Sequence, residues 1–403
     1  MVRKLKTSEV PSGWKYDLLD NFAIRCSGHT PSKSYPEYWD GGIKWISLTD
    51  SYRLDKGYIY ATDKEISAEG IANSSAELHP AETVVLSRDA GIGKSGVMAV
   101  PMAVSQHFIA WKCDNSEKLN SWFLYNWLQM NKAEFERQAV GSTIKTIGLP
   151  YFKKLKIAVP PYPEQKKIAQ ILSTWDQAIT TTEQLLANSQ QQKKALMQQL
   201  LTGKKRLLDK NGVRFSGEWK SYHLSHVAVI VMGSSPKSEA YNENGIGLPL
   251  LQGNADIKNR ISAPRVFTSE ITKECEIGDI LLSVRAPVGT VAISEHKACI
   301  GRGIAALHAK PNFYQSFIYQ FLLWFEPKWG SLSQGSTFES INSDDIKNLK
   351  IKVPNFGEQQ KIAAVLSTAD QEISALQQKL DALKQEKKAL MQQLLTGKRR
   401  VLV

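Results

Sequence analysis

The string KKALMQQLLTGK occurs twice in this chain, at residues 193–204 and again at residues 387–398. The repeat extends beyond these twelve residues. Residues 141–207 align without a gap onto residues 335–401, and 37 of the 67 aligned positions are identical. Self-similarity at a fixed offset indicates repeated structural units. The chain is therefore expected to contain two copies of one plan, each a globular part followed by this constant part.

Weaker similarity upstream of the constant part follows the same order in both copies. SGWKYDL resembles SGEWKSYHL, HTPSKS resembles SSPKS, and LSRDAGIG resembles LSVRAPVG. We therefore expect four segments: a first head at residues 1–155, a helical spacer at 156–208, a second head at 209–350 and a second spacer at 351–403.

The constant part is predicted to form one long helix in each copy. Its apolar residues alternate at spacings of four and three, the heptad pattern of helices that pair along a seam. The seam residues are Ile168, Leu172, Trp175, Ile179, Leu186, Leu196 and Leu200 in the first copy, and Ile362, Leu366, Ala369, Ile373, Leu376, Leu380, Leu383, Leu390 and Leu394 in the second. Polar residues interrupt the seam at Thr182, Ser189, Lys193 and Lys387, and such interruptions usually fix the register of pairing.

Both helices carry a stop signal. Gly203 and Gly397 are positioned to end them, and Pro163 is expected to precede the first. Basic residues follow each glycine, as GKKR and GKRR. These residues either complement the partial negative charge of the helix end or contact a DNA backbone, and the pattern leaves both possibilities open.

The net charge of +12 is distributed unevenly. Residues 1–150 carry 17 basic and 17 acidic side chains, and residues 208–350 carry 15 and 14. Residues 151–207 carry 10 and 3, and residues 351–403 carry 9 and 5. The positive excess thus lies in the constant parts, so charge alone does not indicate that the heads bind nucleic acid.

Helix length constrains the expected architecture. A helix of about 40 residues is about 60 Å long. Because few residues separate Gly203 from the second head, the second helix can cover its seam with the first only by running back antiparallel. The sequence therefore predicts an α+β protein with pseudo-twofold symmetry, in which an antiparallel pair of helices holds two heads apart.

Composition favours an ordinary globular protein of the cytoplasm. Hydrophobic residues make up 42% of the chain, and apolar runs such as residues 227–232 are too short to cross a bilayer. The initial MVRKLKTSEV has no apolar stretch behind it, so no signal peptide is expected. The four cysteines include no CxxC pair.

These features together resemble the specificity subunit of type I restriction-modification systems, and the resemblance covers essentially the whole chain. It rests on GHTPSKSYPEYWDGGIKWISLTD in the first head and on GSSPKSEAYNENGIGLPLLQGNAD, GDILLSVRAPVG and CIGRGIAAL in the second. The spacer starts EQKKIAQIL and EQQKIAAVL and both LLTGK ends also fit. The resemblance implies that each head reads one half of a bipartite double-stranded DNA target. It also implies that the helices hold two methyltransferase subunits and, through them, restriction subunits.

No catalytic residue, cofactor or metal site is predicted. VPPYPEQ at residues 159–165 mimics an amino-methyltransferase signature, but Val159 cannot accept the hydrogen bond that an Asp or Asn would accept. GIGKSG lacks the first glycine of a phosphate-binding loop, because Arg88 stands there. The histidines form no zinc-binding pair. Two alternatives remain open at this stage: a DNA adenine methyltransferase with its own recognition domains, and a coiled-coil scaffold that binds only protein.

Candidate DNA-contacting residues combine suitable chemistry with a position in a loop bracketed by glycine or proline. Arginine suits guanine, asparagine and glutamine suit adenine, and serine and lysine commonly contact phosphate. The candidates are Ser32, Lys33, Arg88, Lys94, Gln106 and Lys145 in the first head, and Ser235, Lys237, Gln252, Asn254, Arg285 and Arg302 in the second. The aromatic residues Tyr35, Tyr38, Trp39 and Trp45 are expected to belong to the head core rather than to stack on bases.

Overall fold

The computed structural model describes residues 10–113, 117–141, 145–332 and 340–402. The chain forms two compact units: unit 1 is Met1–Glu183 with Lys379–Val403, and unit 2 is Gln184–Gln378. Each unit thus combines one head with part of each long helix.

The described residues of unit 1 form three sheets, of five, three and two strands. Its strands are β1 Lys15–Leu18, β2 Ile24–Ser27, β3 Trp39–Ile46, β4 Tyr58–Ile59, β5 Lys64–Ile66, β6 Val84–Ser87, β7 Ser95–Met98, β8 Ala103–Val104, β9 Phe108–Lys112 and β10 Lys156–Val159. The main sheet has the order β2-β9-β6-β7-β4, and the others are β5-β3-β8 and β1-β10. Three of the four residues of β6, Val84–Leu86, are apolar without alternation, and all four side chains of the strand are buried, as expected for a strand covered on both faces.

Unit 1 also contains several helices, of which Ser121–Met130 packs against β6 and β7 of the main sheet. They are α1 Ala68–Ala72, α2 Ser121–Met130, α3 Lys132–Gln138, α4 Leu149–Lys153 and the long α5 Tyr162–Leu200. Asn120 caps α2, where its side chain accepts a hydrogen bond from the backbone of Phe123 at 3.0 Å. The core of unit 1 includes Trp111 of the sheet, Phe123 of α2 and Ile168 at the start of α5.

Unit 2 repeats this plan with more strands. They are β11 Lys220–His223, β12 Ala228–Met232, β13 Tyr241–Asn242, β14 Leu248–Leu251, β15 Ile257–Lys258, β16 Ile261–Ser262, β17 Val266–Thr268, β18 Glu274–Cys275, β19 Ile280–Ser283, β20 Val291–Ile293, β21 Ala298–Ile300, β22 Ile304–Ala309 and β23 Lys350–Val353. The sheet orders are β12-β22-β19-β20-β16-β15, β13-β17-β14-β21-β18 and β11-β23. The helices are α6 Leu224–Val227, α7 Gln315–Phe325, α8 Trp329–Leu332, α9 Ser343–Lys347 and the long α10 Phe356–Leu394.

The two long helices have equal lengths of 39 residues, in line with the predicted repeat. Gly203 and Gly397 follow them with left-handed φ angles of 73° and 68°, so they end the helices as expected. Pro163 does not precede the first helix. It occupies the second position of α5, where the absent backbone N–H would have no helical partner in any case.

Within each unit, the segments of α5 and α10 run antiparallel. In unit 1, Asp176 pairs with Lys387 and Glu164 with Arg400. In unit 2, Lys193 pairs with Asp370, and Arg206, just beyond α5, pairs with Glu358. The two units use equivalent residues for these pairs. Asp176 corresponds to Asp370 and Lys193 to Lys387, and both correspondences follow the repeat offset of 194 residues (387 − 193).

These pairs account for part of the sequence pattern. Lys193 and Lys387, which interrupt the apolar seam, are held by carboxylates of the other helix. Arg206 and Arg400, in the basic clusters beyond the glycines, are likewise occupied by internal ion pairs. The expected α+β class with two long helices is confirmed. In the part of the chain that the structure describes, no helix has the length and apolarity needed to cross a membrane.

Candidate nucleic-acid interface

Three loops of unit 1 meet beside the main sheet. They follow β2 (residues 28–35), join β6 to β7 (residues 88–94) and join β8 to β9 (residues 105–107), and we call them loop face 1. His29 donates its backbone N–H to the carbonyl oxygen of Val104 at 3.0 Å, which holds the first loop against the third. Arg88 donates its backbone N–H to the carbonyl oxygen of His107 at 3.0 Å, which holds the second loop there as well.

Asp89 is the polar centre of loop face 1. One carboxylate oxygen lies 2.6 Å from Nδ1 of His107, and the other accepts a hydrogen bond from the hydroxyl of Thr146. Arg88 Nε lies 3.7 Å from the same carboxylate and, among the described atoms, makes no hydrogen bond. Because Thr146 follows Lys145 directly, this carboxylate also fixes the segment that carries Lys145 near the face.

A cavity of about 310 Å³ opens in this region. Its lining residues are Thr30, Lys33, Trp39, Trp45, Ser47, Leu48, Thr49, Lys64, Ser105, Gln106 and His107. Gln106 is exposed, and its Oε1 accepts a hydrogen bond from the Thr30 hydroxyl. Its amide nitrogen Nε2 makes a longer contact, at 3.5 Å, with Nε2 of His107. The cavity wall therefore offers two lysines, Lys33 and Lys64, and the amide of Gln106 to a polar ligand.

The equivalent loops of unit 2 also converge. They follow β12 (residues 233–237), join β19 to β20 (residues 284–290) and join β21 to β22 (residues 301–303), and we call them loop face 2. Arg302 donates its backbone N–H to the hydroxyl of Ser235 at 3.2 Å. Val284 donates to the carbonyl oxygen of Gly303 at 2.9 Å, which brings the neighbouring Arg285 to the same place.

The turn after β14 completes loop face 2. Gly301 donates its N–H to the carbonyl oxygen of Leu251 at 2.8 Å, so Gln252 lies beside the 301–303 loop. A Cβ atom on Gly303 would lie 2.2 Å from the carbonyl oxygen of Gln252, which explains why glycine stands there. The close approach leaves only the side chain of Arg302, between two glycines, to project from this loop.

The two faces carry different chemistry at equivalent positions. The aligned motifs LSRDAGIG and LSVRAPVG place Asp89 of face 1 where face 2 has Arg285. The matching β8–β9 and β21–β22 loops place Gln106 where face 2 has Arg302. Face 1 thus presents an amide and a carboxylate–histidine pair, whereas face 2 presents two exposed arginines.

The structure brings together some of the candidate residues and not others. Lys33, Arg88, Gln106 and Lys145 lie around loop face 1, and Ser235, Gln252, Arg285 and Arg302 lie around loop face 2. Ser32 lies in the same loop as Lys33, but its hydroxyl accepts from the backbone of Ser34 at 3.3 Å.

Three other candidates have different surroundings. The Lys94 ammonium donates to the carbonyl and hydroxyl oxygens of Ser51, both at 3.2 Å. Lys237 is exposed, and its backbone N–H is bound by Glu270 at 3.1 Å. Asn254 begins the short 3-10 helix Asn254–Asp256 at the edge of loop face 2. Contact between the candidate residues of both heads and DNA stays a prediction.

Sequence reasoning missed Asp89, His107 and Thr146. Their mutual contacts join positions 18 to 57 residues apart, and the sequence contains no signal for such pairing. The expectation for the aromatic cluster holds for Trp45, which is 4% exposed, but Tyr35 is 50% exposed and does not belong to the core.

The predicted seam residues are buried or half-buried throughout both helices. In unit 1, Ile168, Leu172 and Leu394 join the core of the first head. In unit 2, Leu200, Ile362 and Leu366 join the core of the second. The ends of the helices therefore pack into the heads rather than only against each other.

A second cavity, of about 620 Å³, lies at the start of α5 in unit 1. Its lining residues are Gly13, Lys15, Asp17, Asn21, Phe22, Glu117, Lys118, Val159, Pro160, Pro161, Tyr162 and Pro163. The Asn21 amide donates to Asp17 at 2.8 Å and holds the pKa of that carboxyl below its usual value. This cavity includes the VPPYP stretch that only mimics a methyltransferase motif.

Comparisons with known proteins give consistent matches. A family model described as "Type I restriction modification DNA specificity domain" matches residues 11–188 and again residues 216–385. The putative type I restriction enzyme MjaX specificity subunit of Methanocaldococcus jannaschii is 35% identical over 310 aligned residues, which cover 71% of this chain and 70% of that protein.

Two solved structures share the fold. The type I restriction-modification system S subunit from M. genitalium has a TM-score of 0.62 at 18% identity, covering 98% of this chain and 99% of that one. The HsdS subunit from Thermoanaerobacter tengcongensis has a TM-score of 0.51 at 22% identity, covering 97% and 98%.

Proposed function

The chain belongs to the type I restriction-modification DNA specificity family and is a specificity subunit with two target recognition domains, and from this premise we propose how it reads DNA. Loop face 1 reads one half of a bipartite double-stranded target, and loop face 2 reads the other half. The observation that carries the proposal is the convergence, in both units, of the same three loops with different polar side chains.

Equivalent positions with different chemistry suit a target whose two halves differ. Arginine pairs best with guanine O6 and N7, so Arg285 and Arg302 suit guanine in the half read by face 2. The amide of Gln106 suits adenine in the half read by face 1. Lys33 and Lys145 are suited to phosphate oxygens, which position a protein without specifying sequence.

We propose four functional segments with the bounds expected from the sequence. Heads at residues 1–155 and 209–350 carry recognition, and the spacers at 156–208 and 351–403 bind the other subunits. The surface at the start of α5, with its cavity of about 620 Å³, is a suitable contact for a methyltransferase subunit. Two methyltransferase subunits would bind, one for each repeat, and restriction subunits would join through them.

In this proposal the chain contributes recognition and no catalytic group to a methyltransferase and endonuclease complex. The stand-alone methyltransferase and the protein-only scaffold have no comparable support. We place the protein in the cytoplasm, because its four cysteines are free thiols, as is usual in a reducing compartment.

The experiment replaces Arg302 by alanine and maps methylated bases in DNA treated with the assembled methyltransferase complex. A bidentate arginine–guanine contact contributes about 1–3 kcal/mol of discrimination against other bases. The preference for guanine at one position of one half-site should therefore fall by roughly 5- to 150-fold. The other half-site should stay unchanged.

The matched control is Arg214→Ala, which removes an exposed arginine of unit 2 outside loop face 2. It should leave both half-sites as they are. Equal behaviour of the two variants, or relaxation of both half-sites by Arg302→Ala, would contradict the assignment of face 2 to one half-site.

A further inference from the structure

A cluster of three potential metal ligands lies in unit 1, in a part of the head that the loop faces do not use. The sulfur of Cys26, a carboxylate oxygen of Glu77 and a ring nitrogen of His79 all lie within 4.8 Å of one another. Their spacing in the sequence gives no metal-binding motif, since Cys26 lies on β2 and the other two precede β6 by a few residues.

The backbone around the cluster is well fixed. Cys26 pairs with Ala110 across the β2–β9 ladder. His79 exchanges two backbone hydrogen bonds with Met102, at 2.9 and 3.0 Å. The cluster therefore joins an outer strand of the main sheet to the segment that leads into its central strand.

His79 is the observation that points to a ligand. Its side chain is fully buried, and neither ring nitrogen has a hydrogen-bond partner among the described atoms. An unpaired buried polar group costs about 1–3 kcal/mol, so an imidazole with both nitrogens unpaired is an unfavourable arrangement. A neutral imidazole nitrogen has a lone pair that a metal ion can bind.

The other two groups complete a donor set. Cys26 is 9% exposed and supplies a sulfur donor. The Glu77 side chain is 60% exposed, which gives an ion a path from solvent and gives the carboxylate freedom to move. The ammonium of Lys112 lies 3.3 Å from Glu77 and balances its charge in the absence of another cation.

We propose that Cys26, Glu77 and His79 bind a divalent transition-metal ion of the zinc class, with water in the fourth position. Sulfur, nitrogen and oxygen donors together suit zinc and cobalt, whereas magnesium and calcium prefer oxygen alone. Ligands around a tetrahedral zinc lie roughly 3.5 Å apart, so the cluster needs only a modest contraction.

Metal binding releases one proton and involves no redox step. The Cys26 thiol gives its proton to solvent as its sulfur binds the ion, and no electron is transferred. Lys112 must move away from Glu77, because its ammonium competes with the ion for the same carboxylate. The bound ion would tie β2, and so the base of the loop that carries Lys33, to the 77–79 segment.

The test uses the full-length protein freed of metal by a chelator and titrated with Co²⁺, whose bond to a thiolate gives a charge-transfer absorption. We expect one Co²⁺ per chain, the thiolate band, and a rise in Tm with Zn²⁺, since a ligand that binds the folded state stabilises it. No thiolate band together with no rise in Tm in the wild-type protein would overturn the proposal.

Matched variants locate the site. Cys26→Ser should remove the thiolate band and weaken binding at least about tenfold, in the range seen when metal sites lose supporting contacts. Cys275→Ser, which changes a buried thiol of the second head, should bind Co²⁺ like the wild type. A band that survives in Cys26→Ser, or that disappears equally in Cys275→Ser, would place the metal elsewhere.

Lys112→Gln provides a test that does not depend on removing a buried ligand. Its side chain is 22% exposed, and its replacement removes the competing ammonium while preserving a polar end. The variant should bind Co²⁺ several-fold more tightly than the wild type. Unchanged or weaker binding would mean that the ion does not bind at this carboxylate.

Discussion

Replacing Arg206 by methionine should destabilise unit 2 severely, because Glu358 would remain buried without its cation. Glu358 is completely buried, and Arg206 donates two hydrogen bonds to its two carboxylate oxygens at 2.6 and 2.7 Å. This carboxylate also raises the pKa of Arg206 above its usual value. Removing one partner of a buried pair costs about 3–5 kcal/mol.

That cost can be converted into a thermal shift. Unit 2 spans residues 184–378, a size for which 1 kcal/mol corresponds to roughly 2–4 °C in Tm, so the variant should lose roughly 6–20 °C. Urea denaturation should show the same loss. Hydrogen exchange should accelerate first in peptides from the start of α10, where Glu358 lies.

The double variant Arg206→Met, Glu358→Met separates loss of pairing from loss of packing. Both charges are then gone and similar volumes remain, so most of the stability should return. About 1 kcal/mol should stay lost, because Arg206 also donates to the carbonyl oxygen of Gly217 at 2.9 Å. If the single variant loses less than about 1 kcal/mol, or the double variant is no more stable than the single one, the reasoning is wrong.

Three further outcomes are expected. Gln165→Met should lower the free energy of unfolding, measured by urea denaturation, by about 1–3 kcal/mol. The reason is that the buried Gln165 amide donates to the carbonyl oxygens of Lys118 and Pro160, both at 2.9 Å. A decrease of less than about 0.5 kcal/mol would contradict this. Gly397→Ala should lower Tm more than Gly212→Ala. Both glycines have left-handed φ angles, but of the two only Gly397 would bring a Cβ close to another atom, Cγ of Pro11, at 2.3 Å. Equal decreases in Tm would show that this contact relaxes freely. The purified chain should bind DNA weakly and the complex with methyltransferase tightly, because the near-neutral heads neutralise few phosphates; nanomolar specific binding by the chain alone at physiological salt would disprove it.

The sequence predicted most of what depends on local pattern. The heptad seam and the two glycines predicted both long helices, because helical periodicity and left-handed stops are properties of neighbouring residues. The loops around Lys33 and Arg302 were found through their glycines and prolines. Pro163 was misplaced by two residues because proline is as acceptable in the first turn of a helix as before it.

The sequence could not predict contacts between distant positions. Arg206 and Glu358 are 152 residues apart, and the basic cluster that contains Arg206 suggested two other roles. The candidate Lys94 turned to Ser51 because the direction of a hairpin side chain depends on the tertiary surroundings. Cys26 and His79 lie on different segments of the chain, so the sequence could not show that their side chains lie close together.

The division of unit 1 between the two extremes of the chain affects how the protein folds during synthesis. Unit 2 is continuous in sequence, but unit 1 needs Lys379–Val403, and Leu394 and Leu395 belong to its core. At typical ribosomal rates of about 5–20 residues per second, the 220 residues between positions 183 and 403 take roughly 10–45 s to make. Through that interval the first head keeps an uncovered apolar surface. The first head is therefore made before the second head but completed after it, and chaperone binding should concentrate in the first head.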